Sequence, residues 1–271
     1  MSDSQPVSFS QLLSLKGADG SFTAQISEQW AQGRAAFGGL LAAQMARALE
    51  RVVPGDRPLR SALIDFIAPA APGPVTIQAS LLRSGKSLTH GEARMLQNGA
   101  LLALFIGTYG AARDSEVHVP GPAPSGHEAP TSLPHAQYVE GLHPRFTQFF
   151  EFRMAHAPLF SSAKEGKLAG YVRYTQPGLA DSAGVLGLID AWPPAVLPLL
   201  SKPAPASTVT WMVDMVGTLP PAGTESHDYY RYEATTVAAQ DGYGSCEARL
   251  WGPHGGLIAA SRQLVMEFSS R

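Results

Sequence analysis

Asp190 is the residue that invites a chemical reading. It lies within residues 182–200, SAGVLGLIDAWPPAVLPLL, a stretch that is apolar at nearly every position. A helix that is apolar all round is a buried helix. A carboxylate inside one is costly unless it is paired, hydrogen-bonded or kept for chemistry. Desolvation raises the pKa of such a group, which suits a general base working near neutral pH. By itself the position reads first as structural, because most buried polar side chains bind backbone groups. Ser182 is expected to cap the helix start. Pro193 and Pro194 are expected to end its regular part just after Trp192.

Other chemistries find less support in the residue types. The chain has no G-x-S-x-G, the turn that presents a nucleophilic serine. The single cysteine, Cys246, falls in an expected strand between Ser245 and Glu247 with no histidine assigned to it, and reads as packed. His127-Glu128 does not continue into H-E-x-x-H, and no Cys/His cluster has zinc spacing. His254-Gly255-Gly256 reads as a hairpin turn. No cofactor or metal is expected.

The elements that must position Asp190 come in two similar series. The first has a strand at 22–30 and a helix in 34–50, where Leu41, Met45, Ala48 and Val52 recur at helical spacing. Gly38 and Gly39 open that helix, where a missing Cβ lets a backbone or ligand come close. Strands follow at 59–68, 75–81, 89–97 and 100–109, the last two flanking Asn98-Gly99, a strong hairpin signal. Residues 111–137, with five prolines from Pro120 to Pro134, read as an extended linker. The second series has strands at 145–153 and 167–175, the Asp190 helix, then strands at 207–216, 229–238, 244–251 and 256–268. Glu92-Ala93-Arg94 recurs as Glu247-Ala248-Arg249, and Leu102-Ala103 as Ile258-Ala259. The pattern is an internal duplication, with units at 1–110 and 138–271 joined by the linker 111–137. Each sheet is expected to wrap its own apolar helix, and the two units to pair edge to edge in one long sheet.

The duplication acts as an internal control. Aligning Phe37-Gly38-Gly39 with Val185-Leu186-Gly187 sets Ala42 opposite Asp190. Aligning the hairpins sets Gly107 opposite Gln263, and aligning Ser61 with Ser207 sets Ala62 opposite Thr208. If the fold needed these polar groups, the first copy would need them too. Asp190 therefore becomes a functional candidate, followed by Thr208 and Gln263.

These residues and their order resemble the TesB-like (type II) acyl-CoA thioesterases, over roughly residues 20–270. The resemblance rests on Phe37-Gly38-Gly39-Leu40-Leu41, on Tyr171-Val172-Arg173 followed by Leu188-Ile189-Asp190-Ala191 and Pro193-Pro194-Ala195, and on the duplication itself. It implies an α+β double hotdog fold, two tandem antiparallel sheets each wrapped around a central helix. It also implies hydrolysis of an acyl-CoA thioester by water that Asp190 activates and Thr208 and Gln263 hold. One departure is Val209-Thr210-Trp211, where the family often carries further polar residues. Trp192 and Trp211 read as core or as pocket wall near Asp190.

The chemistry is plausible on general grounds. A thiolate leaves readily because thiols ionise near pH 8.5. Backbone N–H groups at a helix start can stabilise the developing oxyanion; Gly38-Gly39 or Ala183-Gly184 are the candidates. Arg83 and Lys86 could meet coenzyme A phosphates, or be solvated loop charges. Two further readings stay open: a double-hotdog protein that binds acyl-CoA without turning it over, and an acyl-CoA hydratase or dehydratase, which the lack of a histidine on either central helix disfavours.

Composition narrows the partners. A net charge of −2 over 271 residues leaves no electrostatic footprint for nucleic acid. No apolar run reaches the length of a transmembrane helix, and the first residues have no signal-peptide pattern. One cysteine excludes an internal disulfide and suits a reducing compartment. The expectation is a cytoplasmic protein with an acyl-CoA substrate, no nucleic-acid or membrane partner, and assembly through sheet edges into a homodimer or larger homo-oligomer.

Overall fold

The structure, a computed structural model, describes residues 5–55, 57–126, 128–156, 158–177, 179–221, 224 and 227–269. His127 lies outside them. The first series comprises α1 (Phe9–Leu12), β1 (Lys16–Ala18), β2 (Ser21–Ile26), β3 (Ala31–Gln32), β4 (Ala35–Ala36), α2 (Gly38–Glu50), β5 (Leu59–Phe66), β6 (Gly73–Ser84), β7 (Leu88–Gln97) and β8 (Ala100–Gly110). The second comprises β9 (His135–Ala136), β10 (Phe150–Met154), β11 (Lys167–Tyr174), α3 (Ser182–Asp190), β12 (Ala206–Met215), β13 (Tyr230–Gln240), β14 (Tyr243–Trp251) and β15 (Leu257–Glu267).

Among the described residues, one 13-stranded sheet runs in the order β1-β2-β6-β7-β8-β5-β12-β15-β14-β13-β11-β10-β9. Its centre is the antiparallel pair β5–β12, with Leu63 opposite Met212, so the two units do join edge to edge. Helices α2 and α3 pack on the inner face, antiparallel to each other. The start of α2 meets the end of α3 at Gly38 and Asp190, and Arg47 bonds Asp181 at the opposite end. This is the double hotdog arrangement.

Local chemistry accounts for the elements and for several departures. Asn98 and Gly99, at φ +51° and +82°, make the tight turn between β7 and β8. Asp181, not Ser182, caps α3: its Oδ1 accepts from the Gly184 N–H at 3.0 Å. The expected strand at 22–30 ends at Ile26, and Glu28–Trp30 forms a 3-10 turn capped by Ser27. The expected strand at 145–153 begins only at Phe150, because Pro144 starts a 3-10 turn over Arg145–Phe149. Within 111–137, Pro130–Ser132 is a 3-10 turn and His135–Ala136 pairs with β10. The sheet therefore ends in strands of three and two residues. Short edge strands blunt pairing with another chain.

Aromatic packing ties the start of α2 to the second unit. Phe37 stacks on Phe146 at 4.2 Å between centroids, and Trp30 stacks on Phe149 at 4.5 Å. Offset or stacked aromatic pairs of this kind add about 0.5–1.5 kcal/mol beyond area burial. They fix where the first turn of α2 points.

Candidate active site

The site forms where three elements meet. Asp190 is the last residue of α3, and Gln263 lies on the inner face of β15. The Gln263 amide Nε2 donates to Asp190 Oδ1 at 3.0 Å. The third element is α2, whose Gly39 N–H also donates to the Asp190 carboxylate. The residue before α2, Phe37, has no side chain able to cap it. Asp190, reaching across from the other helix, supplies the missing acceptor and places negative charge at a helix N-terminus.

Glycine is what permits this contact. A Cβ at Gly38 would lie 2.9 Å from Asp190 Oδ2 and 3.2 Å from Phe66 Cζ. At Gly39 it would lie 2.5 Å from Phe37 Cζ and 3.1 Å from Asp190 Cβ. The Phe-Gly-Gly sequence thus serves to bring backbone against a carboxylate, and its Gly39 N–H is already engaged.

Asp190 is half-buried, yet enough protein surrounds the carboxylate for desolvation to dominate its ionisation. Burial pushes its pKa up to about 7, against the opposing pull of the Gly39 N–H and the Gln263 amide. A carboxylate poised there exchanges a proton near neutral pH, as a general base must.

Thr208 sits on β12 opposite Val265, two residues along β15 from Gln263, and so faces the same side of the sheet. Among the described residues its hydroxyl makes no hydrogen bond to Asp190 or Gln263. It is half-buried.

Ala183 and Gly184 do not join the site. They lie six to seven residues back along α3, roughly 10 Å from Asp190. The Gly184 N–H is taken by Asp181, and a Cβ there would lie 1.8 Å from the Leu179 carbonyl. Arg83 and Lys86 are exposed at the far end of β6. Through Ala103 and Met95, Phe66 at the site is level with Ile77. Arg83 is six residues further along that strand, roughly 20 Å away.

The pairing also corrects one alignment between the copies. A bulge separates Leu59↔Tyr109 from Ser61↔Thr108, and its counterpart separates Thr208↔Val265 from Thr210↔Leu264. Thr208 therefore corresponds to Leu59, and Ala62↔Gly107 corresponds to Trp211↔Gln263. Matching Ser61 to Ser207 slips by three residues because the two serines are alike in type but not in register. Helix starts set Asp190 opposite Ala46 rather than Ala42, and both alanines are fully buried. The asymmetry survives. At the other end of the helix pair, Leu49 packs against Gly107 and Gly91, and Arg47 pairs with Glu50 (2.8 Å) and with Asp181. The described groups that replace the carboxylate and amide there are apolar.

Sequence reasoning missed three features. These are the Gly39 N–H on Asp190, Phe66 beside Gly38, and the register of Trp211, which the sequence puts near Asp190 and the structure sets directly opposite Gln263. The last was detectable in principle, had the bulge at Val209 been allowed for.

Among the described residues no group of three or more His, Cys, Asp or Glu side chains could hold a metal. No helix there is long and apolar enough to cross a membrane.

Comparison with known proteins places the chain. Residues 26–110 match the acyl-CoA thioesterase N-terminal domain and residues 122–266 the acyl-CoA thioesterase C-terminal domain. No curated protein matches at a significant level. Among solved structures, a conserved hot dog fold protein of unknown function from Alicyclobacillus acidocaldarius superposes with a TM-score of 0.87 at 23% identity, covering 96% of this chain and 97% of its own. Acyl-CoA thioesterase II TesB2 from Mycobacterium marinum gives 0.77 at 16% identity, covering 96% and 98%. A tesB protein of Mycobacterium avium subs paratuberculosis gives 0.76 at 17%, with the same coverage. At these identities the structures establish the fold, and the two domain matches establish the family: the chain belongs to the acyl-CoA thioesterases, with both their N-terminal and C-terminal domains.

Proposed function

We propose that the protein hydrolyses an acyl-CoA thioester with a water activated by Asp190 and held by Gln263 and Thr208. The observation that carries this is the carboxylate itself: desolvated, titrating near pH 7, and positioned by an amide and a helix N–H. In the proposed reaction Asp190 takes one proton from the water as its oxygen bonds to the thioester carbon. The carbonyl π electrons move to oxygen. The intermediate then collapses, the C–S bond breaks, and the proton held by Asp190 passes to the departing thiolate. The products are a carboxylic acid and free coenzyme A. Gln263 orients the carboxylate, and the Thr208 hydroxyl offers a donor and an acceptor to the water.

The proposed unit boundaries are 1–110 and 138–271, with the site assembled from both, since Gly39 comes from the first and Asp190 from the second. Ala183, Gly184, Arg83 and Lys86 are left out of the proposed site. Neither α2 nor α3 contains a histidine, which continues to disfavour hydration chemistry. The test is release of free thiol from acyl-CoAs of graded chain length. Turnover on at least one of them is expected. Tight binding of acyl-CoA without thiol release would replace hydrolysis with a binding role.

A further inference from the structure

Trp211 carries an unexplained donor. Its indole is 2% exposed, and among the described residues Nε1 has no hydrogen-bond partner. Leaving a buried N–H unpaired is costly, and such groups in a native protein call for a reason.

Its position suggests one. Trp211 lies directly opposite Gln263 on one side and Ile64 on the other. Directly opposed side chains on one sheet face start about 5 Å apart. Gln263 is the residue bonded to Asp190, and Phe66, two residues beyond Ile64, lies against Gly38. The indole thus stands in the same inner layer as the carboxylate, between two residues that touch the site. In the first copy the corresponding position is Ala62, opposite Gly107, so the fold does not require an indole there.

Two of the N–H groups at the helix starts are already engaged. Gly39 donates to Asp190, and Gly184 to Asp181. A thioester being attacked by water still needs a donor for its carbonyl oxygen as negative charge moves onto it.

We propose that the Trp211 Nε1–H is that donor, a catalytic residue bonded to the substrate's carbonyl oxygen and more strongly to the oxyanion. This rests on the thioesterase reading above. The indole gives up no proton. It accepts no covalent bond, and it releases the oxygen when the carbonyl reforms and the C–S bond breaks. The unpaired N–H of the free protein is then a group desolvated in advance for the transition state.

Trp211→Phe removes the N–H and keeps most of the ring's bulk. It is expected to lower kcat on the order of 10²-fold, as for loss of one oxyanion donor, with KM little changed and thermal stability equal or higher. An independent readout uses the wild-type protein: the Trp211 indole 1H–15N resonance should move downfield on adding a coenzyme A thioether bearing a ketone one carbon from sulfur, which cannot be hydrolysed. Wild-type turnover in Trp211→Phe would overturn the assignment. So would an unmoved indole resonance while the analogue saturates the protein. If the wild-type protein neither binds nor hydrolyses any thioester, the functional reading itself falls, and this inference falls with it.

Discussion

Asp190→Asn separates chemistry from stability within one variant. The substitution keeps the shape and an oxygen able to accept from Gly39 and Gln263, but removes the proton acceptor. Turnover should fall roughly 10²–10⁴-fold, the usual range for loss of a general base. Stability should respond in the opposite sense. The folded pKa is raised from 3.8 to about 7. Between those values the folded protein binds more protons than the unfolded chain, so this group's contribution falls as pH rises. Three units at about 1.36 kcal/mol each set an upper bound of about 4 kcal/mol, and the partial exposure of Asp190 reduces it. Asn carries no such penalty. The variant should melt with the wild type near pH 4 and progressively above it from pH 5 to 8. Each kcal/mol corresponds to roughly 2–4 °C for a chain of this size. In the wild type, kcat/KM should fall about tenfold per pH unit below about 7, where the base is protonated. Thiol release and thermal melts, both followed from pH 4 to 9, provide the data. Full turnover by Asp190→Asn, or a melting difference that is flat across that range, would refute the reasoning.

The remaining predictions concern the groups around the carboxylate. Gln263→Leu removes a hydrogen bond that lowers the Asp190 pKa, so the acid limb of the pH–rate profile should shift upward from about 7 as kcat drops. Gly39→Ala places a methyl 2.5 Å from the Phe37 ring and 3.1 Å from Asp190 Cβ; loss of activity together with a lowered melting temperature is expected, and wild-type values for both would contradict the close-approach argument. Calorimetric titration with a non-hydrolysable acyl-CoA analogue should give one competent site per chain, because Ala46 and Gly107, the counterparts of Asp190 and Gln263, carry no polar side chain and Leu49 packs against Gly107. A stoichiometry of two would mean that the first copy retains a site.

The sequence by itself determined the duplication, the two buried helices and the Asn98-Gly99 hairpin, and it singled out Asp190 as the candidate for chemistry. Each of these is a local or periodic signal: an apolar face, a turn dipeptide, a carboxylate where apolar residues are expected. Repetition within one chain then exposed Asp190 and Gln263 as departures from a shared plan. Register was not determined in this way. Bulges at Arg60 and Val209 shift pairing without leaving any mark in composition, so Thr208 was set against Ala62 when it corresponds to Leu59. Helix ends were also ambiguous, since Asp181 and Ser182 are both good caps and only the bond to the Gly184 N–H distinguishes them. The site's electrostatics belonged wholly to the tertiary structure. Gly38-Gly39 announced a close approach, but the approaching group comes from residue 190, and only the antiparallel packing of α2 on α3 brings a helix N-terminus to that carboxylate. The same packing sets Ala183-Gly184 at the opposite end of the helix pair from Asp190. Strand pairing, which joins residues far apart in the chain through backbone hydrogen bonds common to every sequence, decided that Trp211 stands beside Gln263.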